Sequence, residues 1–484
     1  MKTRTINITK IGEERSLRAD FVFHNHFSDF DKTKEYYDFD EIFEIDDTKY
    51  DYTDIQGDFR YCQIGDVSKF GDALPICLNF ENRNLIDENY YKKIEKGDII
   101  KVNENDILIS FLLPQDIAIV GKFLRVTPNI SDVYFTNAFI HVIPKRMPDV
   151  LYYCLKSIFY TDIVSVSRIR KGYTGYSTLD NIDLRQIKFD KKIIDRLEEN
   201  YDFLSKKIDE IECKILNLYS EISAESKIIN ETFKREFQFD TDKLDQLRKI
   251  KKYNSCIATF SNNPDLRFSA KFHRESGYFV MNQLAEITTK KIKHFLEEPI
   301  VLGASISPGD YSEEGTFKYI SMATIKNWCF DGESANIVSD DYAEAKKTKT
   351  VKKDDIIMAR SGEGTIGKVA LITSDEVDGI FADFTMRIRL KNYNPEFAYY
   401  YFRTEYFQYL IEIYKKGLGN NTNIFPIVVQ EFPLIDISLE EQQRIVDEIH
   451  YEISKQDEIR KEISELRLQI DQIIENAFKE GESK

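Results

Sequence analysis

The sequence predicts an α+β fold, with two mixed α/β domains in tandem repeat and a long coiled-coil helix after each. Three observations carry this. A single offset of 245 positions relates Lys171 and Gly172 to Lys416 and Gly417, then holds through Ile187/Phe432, Leu204/Ile449, Ile208/Ile453, Leu218/Ile463, Ile229/Ile474 and Phe233/Phe478. Within each copy, strand-like and helical pieces follow in one order. Behind each head glycine and proline vanish, over residues 191–237 and again over 438–479. At 484 residues the chain exceeds one ordinary core. It divides into a first head (1–190), a central long helix (191–237), a second head (238–437) and a C-terminal long helix (438–484).

Each head opens on a short mixed segment, Leu17–Phe21 or Leu266–Phe272. Buried strands follow: Arg60–Ile64 resembles Lys318–Met322, and Asp106–Ile109 resembles Asp355–Met358. The alternating runs Asn137–Val142 and Asp383–Ile388 precede aromatic helices containing Tyr152 and Tyr153, or Tyr399–Phe402. Glycine- and asparagine-rich loops come next, Gly172–Gly175 and Gly417–Asn421, and short apolar strands at Ile187–Phe189 and Phe432–Leu434 close the heads. In the helical segments Leu197, Tyr201, Leu204, Ile208, Ile211, Ile215 and Leu218 are spaced three or four apart, as are Ile445, Ile449 and Ile453 and, after a step of six, Ile459, Ile463, Leu466 and Ile470. A helix of about 44 residues spans roughly 65 Å, close to two turns of B-DNA, so such helices could act as a ruler or simply as a dimerisation stalk.

Composition narrows the function classes. Hydrophobic residues at 42% and charged residues at 31% suit a folded soluble protein. The first sixteen residues hold no apolar run fit for a signal peptide, and nowhere do 18 uninterrupted apolar residues occur, so a cytoplasmic protein without membrane contact is expected. Six dispersed cysteines without a CxxC pattern suggest reduced thiols and no structural zinc. A formal charge of -16 argues against a basic nucleic-acid footprint. Its distribution softens the objection: residues 27–58 hold twelve acidic side chains against Lys32, Lys34 and Lys49. That stretch reads first as a solvated loop, or as a surface that mimics DNA or docks a basic partner.

Gly362 to Lys368 meets the GxxxxGK spacing of a phosphate loop. Val369, however, stands where Ser or Thr must hold magnesium, and Val369–Ile372 reads as a strand where that loop requires a helix. Strand, glycine-rich turn, strand is the better reading. No [N/D]PP[Y/F] string is present, since Asn394-Pro395-Glu396 and Asn263-Pro264-Asp265 lack the second proline. Pro148-Asp149 with Glu212-Cys213-Lys214 mimics a nuclease PD…ExK set, but its second part sits on a long helix, and chance explains it better. His24 and His26 lack a third ligand, so no metal is assigned.

The string Ser361-Gly362-x-Gly364-Thr365-Ile366-Gly367-Lys368-Val369-Ala370-Leu371-Ile372 resembles one found in specificity subunits of type I restriction-modification systems. So do Leu439-Glu440-Glu441-Gln442-Gln443-Arg444-Ile445-Val446, at the start of the helical region, and Ile474-Glu475-Asn476-Ala477-Phe478 near its end. The repeat extends the resemblance to nearly the whole chain. The first half departs from the pattern: Ser110-Phe111-Leu112-Leu113-Pro114-Gln115-Asp116-Ile117 replaces the glycine turn and only Gly121-Lys122 survives. The resemblance implies a non-catalytic protein whose two target-recognition domains each read half of a bipartite site in double-stranded DNA. Paired helices would set the gap, and two methyltransferase subunits would dock, joined by translocase subunits that cut DNA. No cofactor is expected on this chain; S-adenosylmethionine, ATP and Mg would belong to the partners. The helices are then expected as an antiparallel pair.

Loop-borne cations are the candidates for DNA contact: Arg168, Arg170, Lys171, Lys290, Lys291, Lys293, Arg360, Lys368, Lys415, Lys416 and the run 346–353, with Ser361 and Thr365 in the glycine turn. Asn420, Asn421 and Asn423 are candidate readers of base edges. For partner docking, the helices offer Leu204, Ile208, Leu218, Ile449, Ile453 and Ile463. The competing reading is a non-enzymatic scaffold or DNA-mimic regulator whose heads bind basic proteins.

Overall fold

The computed structural model describes residues 34–51, 60–62, 99–110, 112–114, 123–158, 176–178, 187–250, 252–254, 271–362, 364–417 and 421–482, with single positions 54, 67, 184, 185 and 258. Two compact units result: Met1–Ile222 with Glu458–Lys484, and Ser223–Asp457. The helical segments expected as domains of their own are divided between these units.

In the first unit, β1 (Tyr36–Asp38), β2 (Phe43–Asp46), β3 (Arg60–Cys62), β4 (Ile99–Lys101), β5 (Ile107–Ser110), β6 (Leu112–Pro114), β7 (Phe123–Arg125), β8 (Val133–Thr136), β9 (Phe139–Pro144), β10 (Tyr176–Thr178) and β11 (Lys188–Asp190) form small sheets. The largest has the antiparallel order β2-β9-β5-β7. Beside it runs β3-β8-β4, in which β3 and β8 are parallel. Alternation along β5 explains its burial on both faces. Ile107 and Ile109 join the main core with Phe39, Phe43 and Val142, while Leu108 enters a second cluster with Phe135 and Val126.

The second unit contains β12 (Val301–Leu302), β13 (Lys318–Ile320), β14 (Ile325–Lys326), β15 (Cys329–Phe330), β16 (Ile356–Ala359), β17 (Val369–Leu371), β18 (Gly379–Phe381) and β19 (Thr385–Ile388). Its main sheet has the antiparallel order β12-β19-β16-β17, and β13 pairs parallel with β18. The four-strand order and the parallel pair repeat those of the first unit, though among the described residues β13 and β18 lack a third strand. The entry into β5 and β16 shows the same likeness in its hydrogen bonds. Asn105 and Asp354 both take positive φ, +73° and +71°. Their amides donate to Val126 O (2.7 Å) and Ile372 O (2.8 Å), and the next carboxylate accepts from Asn103 N (2.7 Å) or Lys352 N (2.9 Å). The cation differs. Asp106 meets the buried His141 at 2.7 Å, whereas Asp355 receives Arg389 through Nε (2.6 Å) and Nη2 (2.7 Å).

The acidic run is not a solvated loop where it is described. Residues 34–51 form β1, a helical turn over Phe39–Ile42, and β2, with Phe39, Ile42 and Phe43 fully buried. Several carboxylates pair within the unit: Glu35 with Lys191 (3.1 Å), Asp38 with Lys188 (3.3 Å), Asp40 with Arg185 (3.1 Å). Alternating apolar and acidic positions put the charge on the outer face, which composition alone does not reveal.

One helix was expected over 191–237; there are three, Lys191–Glu199, Tyr201–Glu221 and Glu225–Phe237. Asn200 ends the first by turning its side-chain amide back to Arg196 O (3.0 Å), an alternative partner that Asn offers the backbone. At the second break Ile222 and Ala224 are extended, and Ser223 N donates to Gln456 Oε1 (2.7 Å). Leu439–Glu482, by contrast, is a single helix of 44 residues. In the second unit its contacts with Glu225–Phe237 run in opposite order along the two segments: Ser223 with Gln456, Arg235 with Glu448 (2.6 Å), Glu236 with Arg444. Leu204, Ile208, Ile449 and Ile463 are buried and Leu218 and Ile453 partly so, all within the cores of their own units. These six candidates for partner docking therefore belong to those cores. Their spacing marked an apolar stripe, and the head and the other helical segment already cover it.

Candidate nucleic-acid interface

The turn between β16 and β17 is wound tightly. Thr365 N and Ile366 N both donate to Gly362 O (3.2 and 2.9 Å), and Lys368 N to Thr365 O (3.0 Å). Gly362 and Gly367 each have φ of +85°, and a Cβ on Gly367 would lie 2.9 Å from Ile411 in the neighbouring helix. Val369 begins a strand paired with Met358, so no helix N-terminus faces this turn as a phosphate loop would require.

A second loop, 416–424, is laced to the first. Lys416 and Asn423 exchange backbone hydrogen bonds (2.8 and 2.7 Å), Gly362 N donates to Thr422 O (3.2 Å), and Ile424 N donates to Arg360 O (2.9 Å). Gly417, at φ +113°, has Asn421 O only 2.2 Å from where a Cβ would sit. The Ser361 and Thr365 hydroxyls donate inside this structure, to Thr422 O (3.3 Å) and Ser361 O (2.7 Å), so they shape the loop.

Arg360 lies where the two loops meet β19. Its Nε donates to Asp383 O (2.8 Å) and its Nη1 to Asn423 Oδ1 (3.3 Å). The rings of Phe384 and Phe425 flank its guanidinium at 5.8 and 5.9 Å, and they are 47% and 41% exposed. Lys368 is half-buried and Lys416 exposed. Among the described residues none of these three cations has a carboxylate partner. The result is a small surface with fixed donors, uncompensated positive charge and two aromatic faces, suited to an anionic, ring-bearing ligand.

Other candidates are engaged elsewhere. Lys291 and Lys293 share Glu431 at 2.8 and 2.7 Å, and their hydrogen bonds hold that carboxyl below its ordinary value. Lys415 pairs with Glu412 (2.6 Å); burial pushes the Glu412 carboxyl up, but Lys271 and Lys415 outweigh it and leave it lowered. In the run 346–353, Lys347 pairs with Glu344 (2.6 Å) and Lys352 with Glu297 (3.3 Å). Lys349 donates to Leu302 O, and burial, with Arg387 nearby, lowers its pKa. Lys290 and Asn421 are exposed. Arg168, Arg170, Lys171 and Asn420 lie outside the described residues, as do His24, His26 and half of the first-half segment that replaces the glycine turn.

Phe384 and Phe425 were not singled out from sequence. Phe384 stood in a run read as an alternating strand, yet the strand begins at Thr385 and leaves Phe384 in the turn before it. The nuclease-like Glu212 is engaged by Arg125 and by Tyr153 OH (2.7 Å). No group of three or more His, Cys, Asp or Glu side chains that could hold a metal occurs among the described residues. No helix among them is long and apolar enough to cross a membrane.

Residues 274–467, which include both loops and Arg360, match the family of the type I restriction modification DNA specificity domain, a recognition module rather than a catalytic one. No curated protein matches the chain. Similar solved structures include a chain from a study of complex assembly and conformational transition of the type I R-M system (14% identity, 92% of this chain and 97% of that one, TM-score 0.42). Others are the type I restriction-modification S subunit of M. genitalium (12%, 93% and 97%, 0.36) and the HsdS subunit of Thermoanaerobacter tengcongensis (13%, 93% and 97%, 0.31).

Proposed function

We propose, from the match of residues 274–467 to the type I restriction modification DNA specificity domain, that the whole chain is a two-headed specificity subunit reading a bipartite site in duplex DNA. The observation that carries the two-headed reading is the shared build of the units. Both have the same four-strand order, the same parallel pair, and the same positive-φ turn before a strand-initiating aspartate. This supports a tandem duplication and hence two half-sites read by similar surfaces. The opposed contacts of Glu225–Phe237 and Leu439–Glu482 support an antiparallel helical pair that sets the spacer.

Catalysis then resides on partners. Adenine-methyltransferase subunits, two of them, bring S-adenosylmethionine, and restriction subunits bring ATP and Mg, all within the cytoplasm. The helices dock these partners on outward positions such as Phe203, Tyr451 and Leu468, which are exposed, rather than on the inward stripe. Net negative charge gives weak DNA binding by the chain alone, because few counterions are released; the partners complete the clamp. The scaffold or DNA-mimic alternative loses support from the described acidic run, several of whose carboxylates pair inside the unit.

Co-expression with a partner methyltransferase, followed by mapping of methylated adenines, tests the reading. A bipartite motif with a fixed spacer is expected. A stable complex that leaves no sequence-specific methylation would overturn it in favour of a scaffold.

A further inference from the structure

Arg360 differs from the other arginines near it, and the difference points to a specific ligand. Arg389, Arg387 and Arg403 are mostly buried, and each meets a carboxylate: Asp355, Glu298 and Glu225. Those are structural pairs. Arg360 is half-buried, and its hydrogen-bond partners are neutral, the carbonyl of Asp383 and the amide oxygen of Asn423. Among the described residues it is thus oriented without being neutralised. Two of its five N–H donors are committed, and no bond from Nη2 occurs among the described residues.

A phosphate contact needs no such fixture, because phosphate accepts from many directions and a lysine on a flexible stem serves. Holding a guanidinium fork in one orientation helps where two acceptors lie side by side on a planar edge. In the major groove guanine presents that pair, O6 and N7, while adenine presents one acceptor and one donor. The rings of Phe384 and Phe425, 5.8 and 5.9 Å from the guanidinium, lie within reach of cation–π attraction and add to what holds the fork in place. We propose that Arg360 reads a guanine through O6 and N7 in the half-site bound by the second unit, with Asn423 as a positioning residue rather than a base reader. The proposal rests on the reading of that unit as a DNA-recognition head and adds the residue and the base.

The test is selection from a randomised duplex library on the full chain, in complex with its methyltransferase partner, followed by sequencing. The unaltered protein is expected to enrich a motif with an invariant guanine. Arg360→Ala should lose the preference at that one position and keep the rest of the motif, with a discrimination loss of about 5- to 150-fold. Arg360→Gln should shift the same position toward adenine, the partner of a side-chain amide. A duplex with 7-deazaguanine at that position should bind the unaltered protein about tenfold more weakly and Arg360→Ala no differently from the ordinary duplex. Uniform weakening across all sequences by both variants, with the motif intact, would make Arg360 a phosphate contact and overturn the proposal. Failure of the unaltered complex to enrich any motif is a different failure, which removes the recognition reading itself.

Discussion

Asp355 anchors the end of β16 opposite to Arg360, and its replacement by alanine probes how firmly the second unit holds that strand. The carboxylate is wholly buried and accepts two bonds from Arg389, at 2.6 and 2.7 Å, and one from Lys352 N at 2.9 Å. Removing one member of such a pair costs about 3–5 kcal/mol, since the survivor keeps its desolvation without its partner. Here the survivor is not fully stranded. Arg389 stays 16% exposed, and Glu298 lies 3.4 Å from its Nη1, which places Asp355→Ala at the low end, about 3 kcal/mol. For a unit of this size that is a fall of about 6–12 °C in Tm. Arg389→Met should be worse, about 4–5 kcal/mol, because a carboxylate with no exposure would keep only a backbone amide. Calorimetry and urea titration of the full chain measure both. A cost below about 1 kcal/mol for Asp355→Ala, the range of a surface pair, would refute the account. So would an Arg389→Met protein more stable than Asp355→Ala.

Three further outcomes are expected. Glu431→Gln releases Lys291 and Lys293, so DNA affinity should rise and the slope of log K against log salt should steepen by up to about 2, read from binding isotherms at several salt concentrations. Because the Glu431 carboxyl sits below its ordinary value, its stabilising contribution is present above the unfolded pKa and fades as pH falls through the folded one. An acid titration of Glu431→Gln should lack that component. Gly417→Ala forces a side chain at φ +113° against Asn421 O, at a cost of about 1–3 kcal/mol confined to the loop. Hydrogen exchange should show lost protection at the Lys416 and Asn423 amides while the Leu439–Glu482 helix stays protected. Arg403→Ala removes a guanidinium that donates to Glu225 (2.8 Å) and lies 4.9 Å from the Tyr399 ring and 5.5 Å from Trp328. Glu225 is 41% exposed and rehydrates, so the loss should be about 2 kcal/mol by urea denaturation, and lysine should restore little of it.

The features legible in the sequence were those with a local period or an internal copy. Asp106–Ile109 and Asp355–Met358 do occupy equivalent strands, β5 and β16, and Arg60–Ile64 and Lys318–Met322 hold the equivalent parallel strands β3 and β13. The glycine turn at 362–367 connects two strands as its chemistry predicts. What escaped depends on contacts across long separations. Periodicity runs unbroken through Asn200 and Ser223, yet an asparagine side chain and the distant Gln456 end the helices there. Lys291 and Lys293 read as loop cations until Glu431, about 140 positions on, is seen between them. Asn423 reads as a base contact by residue type, and only the fold turns its oxygen toward Arg360. Phe384 is exposed because a turn holds it and Phe425 because it caps the short helix Pro426–Val429, and an aromatic in a strand-like run carries no mark of which side of the sheet boundary it falls on.

The single helix Leu439–Glu482 has a consequence for how the protein is made. Ile463, Leu466, Ile470 and Ile474 close the core over Leu204, Ile208, Ile211 and Ile215, so the first unit to leave the ribosome is among the last to be finished. Throughout synthesis of the second unit, the nascent chain must carry that apolar stripe uncovered, a feature that invites chaperone capture or pairing with another nascent copy. A stop codon near position 457 would leave the second unit whole and harm the first, so the lesion would appear at the opposite end of the chain from the mutation.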